Sequence, residues 1–124
     1  MKKLSMFIMI LICAMSLNAQ KVFKVVDKNP EFPGGNNALN KFIAQSIKYP
    51  VIAQESGIEG KVLVDFVINT DGSISNVKIL KGVSTSINKE ALRVVRKLPK
   101  WKPGIYKGET VCVLRTLPII FQLN

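Results

Sequence analysis

The middle of the sequence predicts a β-hairpin, and that hairpin restricts the folds that the chain can adopt. Apolar side chains occupy every second position from Val62 to Ile68, which is the period of a strand with one apolar face. Asp71-Gly72 is a tight-turn sequence, and residues Ile74 to Lys81 supply the returning strand. Two strands joined by so short a turn pair antiparallel, so a fold of repeating parallel βαβ units is disfavoured.

A helix is predicted on each side of the hairpin. The first runs from Asn37 to Lys48 and ends before Pro50, which pushes the preceding residue out of the helical region. A further short helical turn is expected from Val51 to Ser56. The second helix runs from about Asn88, its predicted N-cap, to Leu98. The core-facing stripes are Leu39, Phe42, Ile43 and Ile47 in the first helix, and Ile87, Ala91, Val94, Val95 and Leu98 in the second.

The last strand is predicted from about Thr110 to Leu123, and it contains Pro118. Because proline cannot donate a ladder hydrogen bond, this strand is expected at an edge of the sheet or bulged at that point. The order helix, strand, strand, helix, strand predicts an α+β fold, with a small three-stranded antiparallel sheet and two helices packed on one face. Val22 to Val26, within an N-terminal segment of residues 20–29, is a candidate for an extra strand.

Residues 1–19 have the anatomy of a secretory signal peptide. A positive start at Lys2-Lys3 precedes an uncharged apolar run from Leu4 to Leu17, and the small residue Ala19 stands before the expected cleavage point. The apolar run is shorter than the roughly 20 residues that span a bilayer. Cleavage after Ala19 is therefore favoured over a retained membrane anchor, and the protein is expected to be exported.

Two alternatives stay open at this terminus. Cleavage after Ser16 is a second option, because Leu17 stands where a small residue is usual. Cys13 raises the question of a lipoprotein, but Ile12 precedes it and the cysteine lies inside the apolar run. Lipidation is accordingly the less favoured reading.

The sequence carries a strong positive charge. Its net charge is +10, and removal of Lys2 and Lys3 would leave +8. Such a surplus can attract nucleic acid or an anionic membrane surface. Export and the lack of a nucleic-acid-binding motif argue against nucleic acid. The expected consequence is a solvated basic surface with weak attraction to anionic lipid headgroups or to an acidic partner.

The residue types give little support to catalysis. The sequence has no histidine, and only Cys112 remains after cleavage, so neither a Cys/His metal cluster nor an intramolecular disulfide is available. Asp65 and Asp71 do not form an acid–base pair, because a strand end and the turn separate them. Trp101 is expected to pack at the core edge with its indole N–H on a carbonyl oxygen. We therefore expect no enzyme activity, cofactor or metal.

A series of short motifs resembles the C-terminal domain of the TonB family. The motifs are Tyr49-Pro50-x-x-Ala53, Gly57-Ile58-x-Gly60, the strand pair around Asp71-Gly72, Ala91-Leu92-x-Val94, Pro99-x-Trp101-x-Pro103-Gly104 and Leu117-Pro118-x-x-Phe121. The opening Pro30 to Gly35 (PEFPGG) resembles the version common in Bacteroidetes-type bacteria. Each motif is weak alone, but their order and spacing are specific, and they assign residues 30–124 to a TonB C-terminal-like domain.

The resemblance implies a periplasmic, protein-binding module of a Gram-negative bacterium. In the family, this domain binds the TonB box, a short segment of outer-membrane transporters, which adds as a strand beside the domain's last strand. Carried onto this sequence, the docking strand runs from about Val111 to Phe121, and the segment before Tyr49-Pro50 flanks it. The implied partner-binding residues are Ser46, Ile47, Lys48, Tyr49, Pro50, Val111, Val113, Arg115, Leu117, Ile119 and Phe121.

The sequence also departs from full TonB. The family's membrane helix and long Pro-rich spacer are not found between the expected cleavage site and the domain, so we expect peptide docking before energy transduction. Two alternatives remain: a structural envelope protein that pairs with another copy through the same edge strand, and a truncated, membrane-anchored energy transducer.

Overall fold

The computed structural model describes residues 21–124 and has the predicted α+β fold. Along the chain the elements are β1 (Val22–Phe23), α1 (Gly35–Ser46), α2 (Val51–Glu55), β2 (Gly60–Ile68), β3 (Ile74–Lys81), α3 (Thr85–Arg96), β4 (Gly104–Tyr106) and β5 (Glu109–Phe121). The signal peptide, its two cleavage positions and Cys13 lie outside the described residues. No helix between residues 21 and 124 is long and apolar enough to cross a membrane.

The predicted hairpin is confirmed as the pair β2 and β3. Its turn is closed by Asp71, whose carboxylate accepts the N–H of Ser73 at 2.9 Å. Gly72 has a φ of +87°, and a Cβ on it would stand 2.0 Å from the carbonyl oxygen of Trp101. Glycine is therefore required here both by the left-handed backbone and by the close approach of a second chain segment.

The sheet is larger than the predicted three strands, and it is mixed. Its order is β1-β5-β2-β3, and β4 pairs with the first part of β5. β4 was missed because residues 101–108 read as a loop. Lys107 and Gly108 both have positive φ, as a two-residue type I′ turn requires, so Gly104–Tyr106 folds back antiparallel onto β5. β1 is confirmed as an extra strand, but it is only two residues long and runs parallel to β5.

The two long helices pack against one face of the sheet, as predicted. Among the buried side chains of this core are Leu39 and Ile43 from α1, Ile87, Ala91, Val94 and Val95 from α3, Val62, Val64, Phe66 and Ile68 from β2, and Leu117, Ile119 and Phe121 from β5. Both helices begin earlier than predicted. Ser84, not Asn88, is the N-cap of α3, because its side chain accepts the N–H of Ile87, while Asn88 accepts the N–H of Val83 instead.

Trp101 packs in the core, as expected, and is only 4% exposed. Its ring meets those of Phe32 and Phe66 edge to face, with centroids 5.5 and 5.9 Å away. The predicted hydrogen bond of the indole N–H is wrong: this group has no partner within residues 21–124. Trp101 is thus a core residue of the domain rather than an exposed binding aromatic.

Candidate docking site

The two sides of β5 are occupied differently along the strand. On one side, β2 pairs with it continuously from Val113 to Phe121. β4 pairs with the first three residues of β5, and on the side opposite β2 the strand β1 covers Cys112 and Val113. Beyond them, residues 114–121 have no strand on that side in the described part of the chain. We call this stretch the open edge. The expected edge strand is therefore the second half of β5 and not the first, where Val111 and Val113 lie beside other strands.

The side chains of β5 alternate between the core and the outer face. Of the residues implied as contacts, Val113, Leu117, Ile119 and Phe121 are buried. The guanidinium of Arg115 lies 5.5 Å from the centre of the Trp101 ring. Their side chains are therefore directed into the core and not toward a partner at the open edge. Thr116, Pro118 and Ile120 expose their side chains instead, and Ile120 is 59% exposed.

A groove runs between α1 and the open edge. It has a volume of about 330 Å³ and is lined by Asn40, Ile43, Ala44, Ile47, Pro118 and Ile120. We call it the edge groove. Among the five implied residues from Ser46 to Pro50, Ile47 alone lines it. Its largely apolar lining beside free backbone groups suits the side chains of an added strand.

Tyr49 fixes the segment from Ser46 to Pro50 to the end of β5. Its ring meets the ring of Phe121 edge to face, with centroids 5.7 Å apart. Its hydroxyl donates a hydrogen bond to the carbonyl of Ile58. Burial raises the pKa of the Tyr49 phenol, and the nearby carboxylate of Glu59 raises it further. The phenol therefore stays protonated at neutral pH and can keep donating.

An ion pair on α3, between the buried Glu90 and the half-buried Arg93, holds the same segment from the other end. The Glu90 carboxylate accepts the backbone N–H of Lys48 at 2.6 Å and both Nε and Nη2 of Arg93 at 2.7 Å. Arg93 Nη2 also donates to the carbonyl oxygen of Ser46 at 2.7 Å. The pair thus satisfies a donor and an acceptor of the chain where α1 ends.

The environment of this pair favours its charged form. The hydrogen bond from Arg93 lowers the pKa of Glu90 most, and the Lys48 N–H lowers it further against the opposing effect of burial. The same hydrogen bond raises the pKa of Arg93. The role of Glu90 in this pair was not predicted from the sequence. Glu90 and Lys48 are separated by 42 positions in the sequence, so no local pattern predicts their contact.

Lys48, Tyr49 and Pro50 line a second and larger groove against α3, of about 760 Å³. The implied segment therefore divides between two grooves, with Ile47 in the first and these three residues in the second. Within residues 21–124, no three His, Cys, Asp or Glu side chains are grouped so that they could hold a metal ion. The Cys112 thiol is unpaired and half-buried.

The family model of the Gram-negative bacterial TonB protein C-terminal matches residues 45–123. The chain belongs to the TonB C-terminal domain family. It is 39% and 46% identical over 97 residues to Protein TonB of two strains of Helicobacter pylori, covering 74% of this chain and 33% of each relative. Protein TonB of Pseudomonas aeruginosa is 31% identical over 76 residues, with 61% of this chain and 22% of that protein covered.

Solved structures of TonB domains have the same fold. An NMR structure of the Helicobacter pylori TonB C-terminal domain matches with a TM-score of 0.55 at 31% identity, covering 74% of this chain and 87% of that one. A shorter version matches with a TM-score of 0.52 at 33% identity, covering 69% and 90%. The fold predicted from the sequence motifs is thereby confirmed. The chain spans about a third of the length of the Helicobacter TonB relatives that it matches.

Proposed function

We propose that this domain docks the TonB box of outer-membrane transporters by strand addition at the open edge, and so serves TonB-dependent transport in the periplasm. The observation that carries the proposal is a regular, unpaired strand edge beside an apolar groove. Membership in the TonB C-terminal domain family supports the class of partner. The proposed activity is binding without catalysis.

The backbone of the open edge suits the addition of a strand. Pro118 keeps its place opposite Leu63 although it has no N–H. A sheet accommodates a proline whose nitrogen faces away from the paired strand. Because Thr116 and Ile120 stand two positions from Pro118 on either side, we expect their N–H groups to face the open side as well. An added strand would then bond to β5 on both sides of the proline.

The chain's own N-terminal segment supports a parallel arrangement. Val22 and Phe23 pair parallel with Cys112 and Val113, on the same side of β5 as the open edge. A partner strand that continues from there in the same direction would meet the next residues of β5 without a change of register. The Ile47, Pro118 and Ile120 side chains would then contact its alternate residues.

Docking of this kind should be weak and reversible. Each backbone hydrogen bond contributes about 0.5–1.5 kcal/mol net, whereas association costs about 4–15 kcal/mol in lost freedom. The free energy gained from a few such bonds and apolar contacts therefore exceeds the cost of association only slightly. A partner that must bind and release repeatedly would be served by an interface of this strength.

The test is a titration of the ¹⁵N-labelled protein with a synthetic TonB-box peptide, followed by backbone NMR shifts. We expect the largest shifts at residues 114–121 and Ile47, with β3 residues 74–81 as the internal control. No shift along the open edge at millimolar peptide would overturn the proposal. Equal shifts along β3 would show non-specific edge pairing.

The same edge favours a second candidate, pairing with another copy of the chain. The open edge carries the exposed Ile120 and presents no acidic or basic side chain other than Arg115, whose guanidinium lies over Trp101. Light scattering over a range of concentrations separates the candidates. A stable dimer that no longer binds the peptide would favour self-assembly.

The proposal includes export with cleavage after Ala19. Its support is the sequence of residues 1–19 alone. Mass spectrometry of the mature protein tests it: a start at Gln20 is expected, whereas an intact N-terminus would favour a membrane-anchored energy transducer.

A further inference from the structure

The groove against α3 has one apolar wall and one basic wall. Tyr49, Pro50 and Val51 form the apolar wall, and Val51 is 65% exposed. We call this cavity the α3 groove. Its volume is about 760 Å³, and none of its lining residues lines the edge groove. Its role can therefore be tested apart from docking at β5.

The charges of the α3 groove are strongly one-sided. Five of its lining side chains are basic and one is acidic: Lys48, Lys89, Arg93, Arg96 and Lys97 against Glu90. Glu90 is already paired with Arg93 at 2.7 Å. Within residues 21–124, none of the other four cations has a carboxylate within 4.0 Å. The groove thus presents four uncompensated positive charges beside an apolar wall.

Helical spacing aligns most of these cations. Lys89, Arg93, Arg96 and Lys97 fall at offsets 0, 4, 7 and 8, which is one face of a helix, and that face differs from the core stripe of α3. Like charges three or four positions apart destabilise a helix slightly. The dipole at the C-terminus of α3 offsets this cost for Arg96 and Lys97. The dipole does not stabilise Lys89, which lies in the first half of α3, or Lys48, which lies in the facing segment.

We propose that the α3 groove binds an extended acidic segment of a partner protein, with carboxylates against α3 and apolar side chains against Tyr49, Pro50 and Val51. The length of the basic stripe sets the segment's length. Lys89 to Lys97 covers about 12 Å along the helix axis, which an extended chain spans in about four residues at roughly 3.3 Å each. Alternate residues of an extended chain point to opposite sides, so acidic and apolar residues in alternation match the two walls.

The arrangement of the site favours a peptide over a membrane surface. The cations of α3 lie on one side of an open groove and Tyr49, Pro50 and Val51 lie on the other. One extended chain with alternating side chains can contact both sides at once. Because exposed ion pairs are individually weak and are screened by salt, the complex should be weak and strongly salt-dependent.

The test is fluorescence anisotropy of the full chain with a labelled peptide Gly-Glu-Leu-Glu-Leu-Glu-Gly, and with its Gln-for-Glu counterpart. We expect the acidic peptide to bind about tenfold more tightly, and its affinity to fall about fivefold or more between about 50 and about 300 mM NaCl. Lys89→Glu with Arg96→Glu should weaken binding about tenfold or more, and Lys89→Gln with Arg96→Gln somewhat less.

The matched control is Lys78→Glu with Lys81→Glu, which makes the same charge change on β3 away from the groove. It should leave the affinity within about twofold. Equal losses for the two charge-reversal pairs would overturn the proposal in favour of non-specific attraction to a basic protein. Sedimentation with phosphatidylglycerol vesicles supplies the last arm. Vesicle binding that depends on Lys89 and Arg96, without peptide binding, would overturn it in favour of a membrane surface.

Discussion

Within residues 21–124, the open edge of β5 and the outer side of β3 are both unpaired, and they are built differently. β5 pairs with β2 through nine consecutive residues, from Phe121 opposite Gly60 to Val113 opposite Ile68. β3 pairs with β2 across two register shifts, and Asn76 within it has a φ of +52°. Lys78 and Lys81 are also exposed along β3.

The difference shows which features keep an edge strand from pairing with a further strand. Irregular register, a left-handed residue and lysines are devices that prevent a strand from recruiting another. Apolar exposure does not distinguish the two edges, because Leu80 on β3 is 57% exposed and Ile120 on β5 is 59% exposed. Regular backbone and few charges distinguish the open edge. For that reason we propose docking on β5 rather than on β3.

The largest expected effect is on the free energy of unfolding, and it comes from Tyr49, which packs against the end of β5. Tyr49→Ala removes the ring contact with Phe121 and the hydrogen bond to Ile58. We expect the free energy of unfolding in urea to fall by about 2–3 kcal/mol, and by about 1 kcal/mol for Tyr49→Phe, which loses only the hydroxyl. NMR shifts in Tyr49→Ala should gather at the end of β5 and spare β3. Chemical-shift changes of equal size along β5 and β3 would contradict a local role of Tyr49 at the end of β5.

The next effect is a dependence on pH. Because the pKa of Glu90 is lowered in the folded state, the carboxylate stabilises the fold above its ordinary pKa of 4.5, and this stability is lost as the pH falls through the folded value. We expect Glu90→Gln to lower the free energy of unfolding by about 1–2 kcal/mol at pH 7. The gap to the unmodified protein should close below about pH 4.

The control for Glu90 is Glu55→Gln on α2, which removes the same charge from an exposed position. It should change stability by less than about 0.5 kcal/mol. A gap for Glu90→Gln that persists unchanged to pH 3 would mean that packing, and not the charged pair, holds the segment from Ser46 to Pro50.

A substitution that removes one backbone N–H tests whether the partner binds at β5 and not at β3. Ile120→Pro removes an N–H that we expect to face the open side, and it should weaken TonB-box binding about tenfold. Ile120→Ala reports the side chain alone and should have a smaller effect. Leu80→Ala on β3 is the matched change at the other edge and should have none. Binding is followed by NMR titration, and equal losses for Ile120→Ala and Leu80→Ala would count against docking on β5.

The smallest effect should come from removing Lys78 and Lys81, the two exposed lysines along the edge of β3. Lys78→Val with Lys81→Val takes two charges from that edge, and we expect weak self-association that sedimentation velocity detects only at high protein concentration. Lys41→Val with Lys61→Val removes the same charges from α1 and from the start of β2, where Lys61 pairs with Ile120 of β5. This control should remain monomeric. If both pairs associate equally, lost net charge and not the edge is the cause.

The parts of the fold that were predicted from sequence are those with a local cause. Alternating residues and Asp71-Gly72 define the β2–β3 hairpin within 20 residues of chain, about the length at which a local pattern suffices. β4 has three residues and β1 has two. Strands this short have no readable period, and their pairing with β5 depends on long-range contacts. β4 and the parallel pairing of β1 could therefore not have been predicted from the sequence, although Val22 to Val26 was a candidate for an extra strand.

The candidate site was predictable in location but not in detail. Pro118 indicates an edge, but apolar residues stand at both odd and even positions of β5, so the sequence does not tell which set faces the core. The even set, with Thr116, Pro118 and Ile120, turns out to be exposed. The ion pair of Glu90 and Arg93 was missed because the backbone groups that it binds lie more than 40 positions away.

The continuous ladder between β2 and β5 also governs how the domain would respond to tension. A force directed along β5 is shared by all of its hydrogen bonds to β2 at once, because the strands must slide past each other. A force directed away from the sheet at one end opens the same bonds one after another. A partner strand lying parallel to β5 and pulled along its own axis would therefore strain the sheet in the direction in which it resists most.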